Sequence, residues 1–374
     1  MRNRRILLAS PTMHGEEMKY IQEAFDTNWV APLGKNVDCF EQEICEHLGI
    51  GHAAALSSCT AAIHLAIKLC GLKPGERVLC SDLTFSASVN PVSYEQGVQV
   101  FVDSEYDSWN MDPAALEKAF ERYPDARIVV VVNLYGTPAK LDELRRICDR
   151  HGAILIEDAA ESLSATYQGK QTGTFGTYNA ISFNGNKIIT TSGGGMLLSD
   201  DAEAVKKARF WATQSKDAAP YYQHSEIGYN YRMSNIVAGI GRGQLIHLEE
   251  HRLLKKKIYE RYLAAFSDLP LQMNPYPACS EPNFWLSCIL IDPDCPVHPW
   301  SVMEELAKYG IESRPIWKPM HMQPVFEGCD FVTAGENCVS EDIFNRGLCL
   351  PSDVKMTEEE QAYVIEVVRG CFGG

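Results

Sequence analysis

The sequence lacks several features that would place it in common protein classes. Its 13 cysteines include no Cys-x-x-Cys pair, which favours reduced thiols over a disulfide framework. It has no long basic run and a formal net charge of -15, which argues against nucleic acid or an anionic membrane as its main partner. No apolar stretch approaches the ~20 residues that span a bilayer. After the basic residues 1–5, only four apolar residues precede Ser10 and Pro11, so we expect no signal peptide and a cytoplasmic protein.

The length and the hydrophobic pattern predict two domains with an α/β fold. At 374 residues, the chain exceeds what one hydrophobic core usually serves. Strands and helices alternate through the first two thirds, which predicts a mostly parallel central sheet with helices on both faces. Active residues should then collect at the carboxyl ends of the strands. The predicted strands are 77–80, 98–103 and 127–133, and the predicted helices are 60–72, 113–123 and 140–151.

The pattern changes in the last third of the chain. Residues 235–266 read as one long helix whose second half is heavily charged, which suggests a bridge between domains. We therefore predict a large α/β domain at 1–245 and a smaller C-terminal α+β domain at 246–374. Within the second domain we predict a strand at 285–291 and helices at 300–309 and 357–371.

Two residues at predicted strand ends indicate the chemistry. The apolar run 153–156 stops at Glu157 and Asp158, and Lys187 stands between an apolar strand and the glycine-rich segment 193–195. A buried acid can pair with a pyridinium nitrogen while a lysine one strand later holds an aldehyde, which suits pyridoxal 5'-phosphate. The three glycines open no helix in a G-x-G-x-x-G pattern, so they predict close backbone approach beside the cofactor rather than a dinucleotide site.

Two further segments are compatible with this cofactor. Ser58, Cys59 and Thr60 precede or open an amphipathic helix, whose free backbone amides could bind the phosphate. Taken alone, they fit an ordinary helix cap better. Phe85 follows a predicted strand and could stack on a flat ring, although a lone aromatic residue is more often part of the core. The combination with Lys187 and Asp158 favours the functional interpretation.

Three motifs together resemble the DegT/DnrJ/EryC1/StrS family of sugar aminotransferases, and the similarity runs nearly end to end. They are EDAAE at 157–161, SFNGNK at 182–187 and GYNYRMSN at 228–235. Within that family, VAPLG at 30–34 and FNGNKIITTSGGGM at 183–196 look most like the C4 aminotransferases of the UDP-bacillosamine pathway. The resemblance implies a fold-type I pyridoxal phosphate-dependent transferase that forms a homodimer with active sites at the subunit interface.

The same resemblance assigns roles to individual positions. It makes Lys187 the Schiff-base lysine, Asp158 the partner of the pyridine nitrogen and Phe85 the ring-stacking residue. Ser58, Cys59, Thr60 and Ser182 would contact the cofactor phosphate, as would Asn230 from the neighbouring subunit. Cys59 stands where relatives often have alanine, and Glu161 where other branches have histidine; we expect Glu161 beside the ring near the substrate. The predicted substrate contacts are Glu161, Arg232, Arg314, Trp317 and His321, although packing or surface charge explains the last four equally well.

The resemblance also implies the reaction. L-Glutamate would convert the cofactor to pyridoxamine 5'-phosphate, which would pass the amine to C4 of a nucleotide-linked 4-keto-6-deoxy sugar. We expect UDP-2-acetamido-2,6-dideoxy-4-keto-glucose, for bacterial glycan biosynthesis. GDP-4-keto-6-deoxymannose or a dTDP-linked 3- or 4-keto sugar is the alternative. Relatives with histidine at the lysine position are dehydratases, and Lys187 argues against that chemistry. A non-enzymatic regulatory role is less compatible with a complete set of cofactor contacts.

One short pattern indicates a metal but has an ordinary explanation. Residues 247–251, HLEEH, match the H-x-x-E-H zinc pattern and place His247 and His251 on one helical face. The sequence offers no recognisable third ligand, and the surrounding helix is charged. We therefore interpret the segment as solvated helix surface and expect no metal site.

Overall fold

An eight-stranded mixed sheet forms the centre of the structure, a computed structural model that describes residues 5–373. The described residues contain 15 strands and 12 α-helices. The strands are β1 His52–Leu56, β2 Arg77–Ser81, β3 Val98–Val102, β4 Ile128–Val132, β5 Ile154–Asp158, β6 Thr166–Tyr167, β7 Lys170–Gln171, β8 Tyr178–Ser182, β9 Gly195–Ser199, β10 Leu271–Met273, β11 Ser280–Glu281, β12 Ser287–Ile291, β13 Arg314–Pro315, β14 Asp330–Val332 and β15 Gly347–Leu350. The helices are α1 Glu16–Asp26, α2 Lys35–Leu48, α3 Cys59–Leu69, α4 Asn90–Tyr94, α5 Pro113–Arg122, α6 Leu141–His151, α7 Ala202–Ala212, α8 Asn235–Leu245, α9 Leu248–Ala265, α10 Pro299–Lys308, α11 Val339–Arg346 and α12 Glu358–Cys371.

The strand order of the large sheet is β1-β9-β8-β5-β4-β2-β3-β14. The pairs from β8 to β14 are parallel, whereas β9 pairs antiparallel with both β1 and β8. The prediction of a mostly parallel central sheet is therefore confirmed. Parallel order directs the carboxyl ends of β2, β4, β5 and β8 to one edge, where ligands bind in such sheets.

Alternating side chains bury both faces of this sheet. In β4, Ile128 and Val130 pack on the face covered by α3, whereas Val129 and Val131 pack on the face covered by α5 and α6. All four side chains are fully buried or nearly so. Successive side chains of a strand point to opposite faces, so a continuous apolar run is what a strand covered on both sides requires.

A second sheet lies in the C-terminal part of the chain. Its order is β10-β12-β15-β13, and every pair in it is antiparallel. Apolar side chains of α9, α10 and α12 form a common core with β12 and β15. The strand β14, although C-terminal in sequence, joins the edge of the large sheet beside β3. The boundary near residue 246 remains a prediction.

The prediction of a single long helix at 235–266 is wrong, because the structure has two helices there, α8 and α9. Ile246 and His247 separate the two helices, and the His247 amide donates to the Gln244 carbonyl in a three-residue turn. The Gln244 side chain accepts a hydrogen bond from the amide of Thr190 and donates to the carbonyl of Thr12. These tertiary contacts redirect the chain at a point where no glycine or proline marks a break.

The other predicted elements are present, with ends displaced by up to three residues. The first four residues of the basic start lie outside the described residues. Within residues 5–373, none of the helices combines the length and the apolar character that crossing a bilayer requires.

Candidate active site

A cavity of about 410 Å³ opens at the carboxyl edge of the large sheet. Residues from β5, from the loop between β8 and β9, from the start of α3 and from two later loops surround it. The lining residues are Ser57, Ser58, Cys59, Thr60, Ile63, Thr84, Phe85, Ala87, Ser88, Val132, Asp158, Ala160, Glu161, Ser182, Asn184, Asn186, Lys187, Gly193, Gly194, Trp285 and Trp317.

Lys187 projects into this cavity from the loop that follows β8. Its amide donates to the carbonyl of Asn184, which closes a tight turn at the strand end. Its side-chain nitrogen lies 3.5 Å from Oε1 of Glu161 and 4.1 Å from the centroid of the Trp285 ring. The side chain is only 11% exposed. The amine is thus held between a carboxylate and an aromatic face, facing the cavity.

Asp158 ends β5 and is 3% exposed. Its Oδ2 accepts a hydrogen bond of 2.6 Å from Ser88 Oγ, and its Oδ1 accepts one of 3.0 Å from the amide of Ala160. Burial raises the pKa of Asp158 above its ordinary value, although these hydrogen bonds and Lys187 oppose the rise. A cation placed against this carboxylate would lower the pKa again, so the residue fits a protonated ring nitrogen.

Glu161 lies on the other side of the lysine. Its Oε2 accepts a hydrogen bond of 2.6 Å from the amide of Tyr135, and its Oε1 faces Lys187. Burial raises the pKa of Glu161 to about 7, although Lys187 works in the opposite direction. A carboxyl group that titrates near neutral pH beside a reactive amine can accept or supply a proton under working conditions.

Tyr135 holds both Glu161 and the cavity mouth in position. The residue is buried yet adopts the left-handed conformation, with φ 53° and ψ 20°. Its amide binds Glu161, and its hydroxyl accepts a hydrogen bond of 3.0 Å from the amide of Trp317. A residue other than glycine in this conformation costs about 1–3 kcal/mol, which the surrounding contacts must offset. Such conformations concentrate at functional sites.

The start of α3 supplies a site for an anion. Ser58 caps this helix by accepting a hydrogen bond from the amide of Ala61, and the amides of Cys59 and Thr60 have no partner within the helix. Gly195 lies so close that a Cβ at its position would collide with the backbone of Ser58 and Cys59. The glycine-rich segment therefore approaches this helix end closely, as its sequence predicts, and the free amides suit a phosphate group.

Phe85 and Trp317 line the cavity at its outer side. Phe85 is 57% exposed, which excludes the interpretation of this residue as ordinary core. Its ring centroid lies 5.2 Å from that of Trp317, with the two planes inclined by 56°. An exposed ring that lines the same cavity as a buried carboxylate can cover one face of a planar cofactor. The amine, the buried acid, the helix end and this ring together fit pyridoxal phosphate.

The structure does not bring every predicted site residue into the cavity of its own chain. Asn230 is exposed and lies outside the cavity lining. Arg232 donates a hydrogen bond of 2.6 Å to Glu41 Oε1 and lines a different surface depression. Arg314 is exposed and pairs with Glu312 at 2.8 Å. The predicted roles of Asn230 and Arg232 involve the partner subunit and stay predictions.

His321 is also absent from the cavity lining. Its Nδ1 lies 2.7 Å from Oδ2 of Asp82, its amide donates to the same carboxylate, and its ring stacks on Phe331. Burial would lower the pKa of His321, but hydrogen bonds to Asp82 and Cys338 raise it to about 10. The histidine is therefore a cation, and its contacts with Asp82 anchor its loop to the end of β2.

Three residues that shape the site were not predicted from the sequence. Trp285 faces Lys187, Tyr135 binds Glu161, and Ser88 binds Asp158. Trp285 precedes β12 of the second sheet, so its contact with Lys187 depends on how the two sheets are arranged. Ser88 lies three residues after Phe85, in the short helical turn Ser86–Ser88. The left-handed residue Tyr135 stands before Gly136, a pair that marks a tight turn but no particular chemistry.

Comparison with known proteins agrees with this geometry. Residues 11–369 match the DegT/DnrJ/EryC1/StrS aminotransferase family. EpsN of Bacillus subtilis (strain 168), provisionally named as a pyridoxal phosphate-dependent aminotransferase, is 48% identical over 376 residues, covering 99% of this chain and 96% of that protein. GDP-perosamine synthase of Caulobacter vibrioides is 34% identical and covers 96% of both chains.

A solved structure shares the fold over nearly the whole chain. The DegT DnrJ EryC1 StrS aminotransferase from Brucella abortus has a TM-score of 0.89 and 28% sequence identity, and the match covers 96% of both chains. The fold-type I architecture and the cofactor expected from the sequence are therefore confirmed. The chain belongs to the DegT/DnrJ/EryC1/StrS aminotransferase family and is a pyridoxal phosphate-dependent transaminase.

Proposed function

We propose that this enzyme transfers the amino group of L-glutamate to C4 of UDP-2-acetamido-2,6-dideoxy-4-keto-glucose, for bacterial glycan biosynthesis. The observation that carries the transaminase part is the position of Lys187, whose amine faces the cavity between Glu161 and Trp285. A carbonyl substrate is required because only a carbonyl can condense with the aminated cofactor. The 4-keto group of such a sugar provides it.

Each residue around the cavity has a defined task in this proposal. Pyridoxal phosphate, when bound, supplies the electron sink for the carbon that loses or gains a proton. Lys187 Nζ removes that proton and returns it at the neighbouring position. Asp158 keeps the ring nitrogen charged, and the amides at the start of α3 hold the phosphate. Phe85 covers one ring face.

Glu161 and Trp285 prepare the amine of Lys187 for this task. Glu161 Oε1 lies 3.5 Å from Nζ, close enough to exchange a proton with small movement. Trp285 is 2% exposed and excludes water from the opposite side of the amine. An amine that is screened from solvent and directed at one point transfers protons to the bound substrate rather than to bulk water.

The names of relatives support a nucleotide-linked sugar as the acceptor. GDP-perosamine synthases lie at 30–34% identity over nearly the full length. Their name favours GDP-4-keto-6-deoxymannose as a second candidate substrate. The resemblance of Glu161 and of residues 183–196 to the UDP-bacillosamine branch supports the UDP-linked N-acetyl sugar instead. Of the predicted substrate contacts, Glu161 and Trp317 line the cavity, and Trp317 lies beside Phe85.

We further propose that two copies of the chain form the working enzyme, with Asn230 and Arg232 contributing across the interface. Exposed apolar side chains support an interface between copies. They occur in the N-terminal part of the chain and just before Asn230, and include Met13, Met18, Phe25, Trp29, Val30, Leu33, Tyr221, Tyr222 and Ile227. Contiguous exposed apolar surface marks sites of association.

The decisive experiment compares kcat/KM for three acceptors with L-glutamate as donor. They are the UDP-linked 4-keto N-acetyl sugar, GDP-4-keto-6-deoxymannose and a dTDP-linked 4-keto-6-deoxyglucose, and product analysis identifies the aminated carbon. We expect the UDP-linked sugar to be preferred by about 10²-fold or more, since a site built to bind an N-acetyl group discriminates against a sugar lacking it. Preference for either competitor, or amination at C3, would contradict the substrate but leave the transaminase assignment intact.

A further inference from the structure

Two backbone carbonyls flank Lys187, and each accepts a hydrogen bond from the C-terminal part of the chain. The carbonyl of Asn186 accepts a bond of 2.7 Å from the indole nitrogen of Trp285. The carbonyl oxygen of Ile188 lies 2.7 Å from Nδ1 of His251, in the first turn of α9. The residues on both sides of the lysine are therefore bound to elements outside the large sheet.

The contacts of His251 fix its tautomer. A carbonyl oxygen can only accept a hydrogen bond, so Nδ1 donates to Ile188. The other ring nitrogen, Nε2, lies 2.8 Å from Nε2 of His14 and accepts a hydrogen bond from it. Burial lowers the pKa of His251, which keeps the ring uncharged at neutral pH. The sequence-based interpretation of residues 247–251 as solvated helix surface is wrong for His251, which is 2% exposed.

Lys255 lies one turn further along α9, on the same face as His251. Its side-chain nitrogen is buried and donates to the carbonyl of Trp285 at 3.0 Å and to that of Ser352 at 2.8 Å. Burial lowers the pKa of Lys255 to about 8, although Asp353 opposes the change. The amine is thus mostly a cation at neutral pH, and a charged donor forms stronger hydrogen bonds than a neutral one.

The two bonds of Lys255 join α9 to both central strands of the second sheet. Trp285 precedes β12 and Ser352 follows β15. Lys255 therefore fixes the backbone of Trp285 relative to α9, while the ring of Trp285 faces the amine of Lys187 at 4.1 Å. A shift of the Trp285 backbone would move both this ring and its hydrogen bond to the lysine loop.

We propose that His251 and Lys255 are positioning residues, which hold the lysine loop from one face of α9 and so set where Lys187 presents its amine. Neither is among the residues that line the cavity, so neither touches the substrate or the cofactor. Each acts through the residue that it binds, His251 through Ile188 and Lys255 through Trp285. This inference rests on the proposed role of Lys187.

Two substitutions at His251 separate the loss of the hydrogen bond from a change of packing. Asparagine keeps an N–H donor near the position of Nδ1, whereas leucine fills similar space without a donor. The rate of the half-reaction with saturating L-glutamate, followed by cofactor absorbance, should fall by about 3- to 30-fold in His251→Leu, because the reacting amine is misplaced. The half-saturating concentration of L-glutamate should change by less than about twofold, and His251→Asn should react within about twofold of the wild-type rate.

Hydrogen exchange of backbone amides provides a measurement that does not depend on turnover. The Lys187 amide donates to Asn184, so peptides covering residues 183–191 report how firmly the loop is held. His251→Leu and Lys255→Met should each speed exchange there by about 2- to 12-fold, as expected for the loss of one hydrogen bond, in the holoenzyme and in the cofactor-free enzyme. Lys255→Gln, which keeps two N–H donors, should have a smaller effect.

Two controls distinguish positioning from general destabilisation. Lys257→Met, at an exposed position of the same helix, should exchange as the wild type does. Peptides from α5, which packs on the large sheet, should be unchanged in every variant.

The proposal is wrong if His251→Leu alters neither the half-reaction nor the exchange of residues 183–191, or if His251→Asn is as slow as His251→Leu. It is also wrong if Lys255→Met and Lys255→Gln change loop exchange no more than Lys257→Met, or if exchange in α5 rises as much as in the loop. Borohydride reduction tests Lys187 separately. Label on another lysine would refute the proposed role of Lys187, whereas loop exchange tests the contacts of α9 whatever the lysine does.

Discussion

The side-chain nitrogen of Lys187 lies 4.1 Å from the centroid of the Trp285 ring, and the Trp285 indole nitrogen donates a 2.7 Å hydrogen bond to the carbonyl of Asn186. The lysine lies in the loop that follows β8 of the large sheet, and the tryptophan precedes β12 of the second sheet. The second sheet therefore fixes both the loop and the amine that the loop presents. A cation over a tryptophan face gains about 0.5–2 kcal/mol, depending on how far it is screened from water.

Trp285→Phe should lower kcat by about two- to tenfold, because it keeps an aromatic face but loses a hydrogen bond worth about 0.5–1.5 kcal/mol. Steady-state rates and thermal unfolding midpoints measure the effect. Trp300→Phe, on the exposed side of α10, is the matched control and should leave kcat unchanged. Equal rates for wild type and Trp285→Phe would show that the loop does not need this bond.

Borohydride reduction should fix the cofactor to the peptide that contains Lys187, as mass spectrometry of the digest would detect. Lys187→Ala should lose this attachment and lower steady-state turnover by about 10²–10⁴-fold or more, as expected when the group that transfers the proton is removed. Label on another lysine would refute the assignment.

Asp158→Asn should lower kcat by about 10²–10³-fold, since it removes a preorganised charge while keeping the shape of the side chain. The variant should still bind the cofactor, because the contacts at α3 and Lys187 remain. Absorbance of the bound cofactor and kcat are the two measurements. Near-normal turnover would contradict pairing of Asp158 with the ring nitrogen.

Removal of the cofactor should reveal the buried carboxyl of Glu161 in the pH dependence of stability. Burial raises the pKa of Glu161 from 4.5 to about 7, so the folded state binds this proton more tightly than the unfolded state. Its stabilising contribution is complete below pH 4.5, declines as the unfolded state ionises, and is lost as pH rises through about 7.

The unfolding free energy of wild type minus that of Glu161→Gln should therefore fall by on the order of 1–3 kcal/mol between about pH 4.5 and pH 7. Wild type thus loses stability relative to the variant as the pH rises. Thermal unfolding of both cofactor-free proteins across this range provides the comparison. A difference that stays constant with pH would mean that Glu161 ionises normally.

Mixing Lys187→Ala chains with Asn230→Ala chains should restore part of the activity after subunit exchange. If Asn230 serves the partner's cofactor, each mixed dimer contains one intact site and one site carrying both changes. Activity after denaturation and refolding of the mixture, with mixed dimers quantified by mass, measures the recovery. No recovery from inactive parents would place Asn230 in its own subunit's site.

Lys187 and Asp158 could be predicted from sequence because Asp158 ends an apolar strand, Lys187 follows another, and parallel strands bring their ends together. The start of α3 and Phe85 follow from the same rule. Trp285 and Tyr135 could not be predicted. The position of Trp285 depends on the packing of one sheet against another, and that of Tyr135 depends on its own left-handed conformation. Arg314 illustrates the limit of motif similarity: its segment approaches the cavity through Trp317, whereas Arg314 itself faces solvent beside Glu312.

The division of the 235–266 helix shows a different limit. Neither glycine nor proline stands at Ile246 or His247, where the helix breaks, and Gln244 beside the break contacts Thr12 and Thr190. These contacts involve residues far away in sequence. The same break positions His247 against His14, and the two rings stack with centroids 3.6 Å apart.

β14 is synthesised long after β3, the strand with which it pairs, and this order has a consequence for the nascent chain on the ribosome. Val100, Phe101 and Val102 of β3 are fully buried in the finished protein, and β14 covers the hydrogen-bonding edge of that strand. Until residues 103–332 have been made, this apolar edge has no strand to pair with and can recruit other nascent chains. We therefore expect a chain that stops at residue 245 to leave this edge unpaired and to aggregate more readily than the full chain.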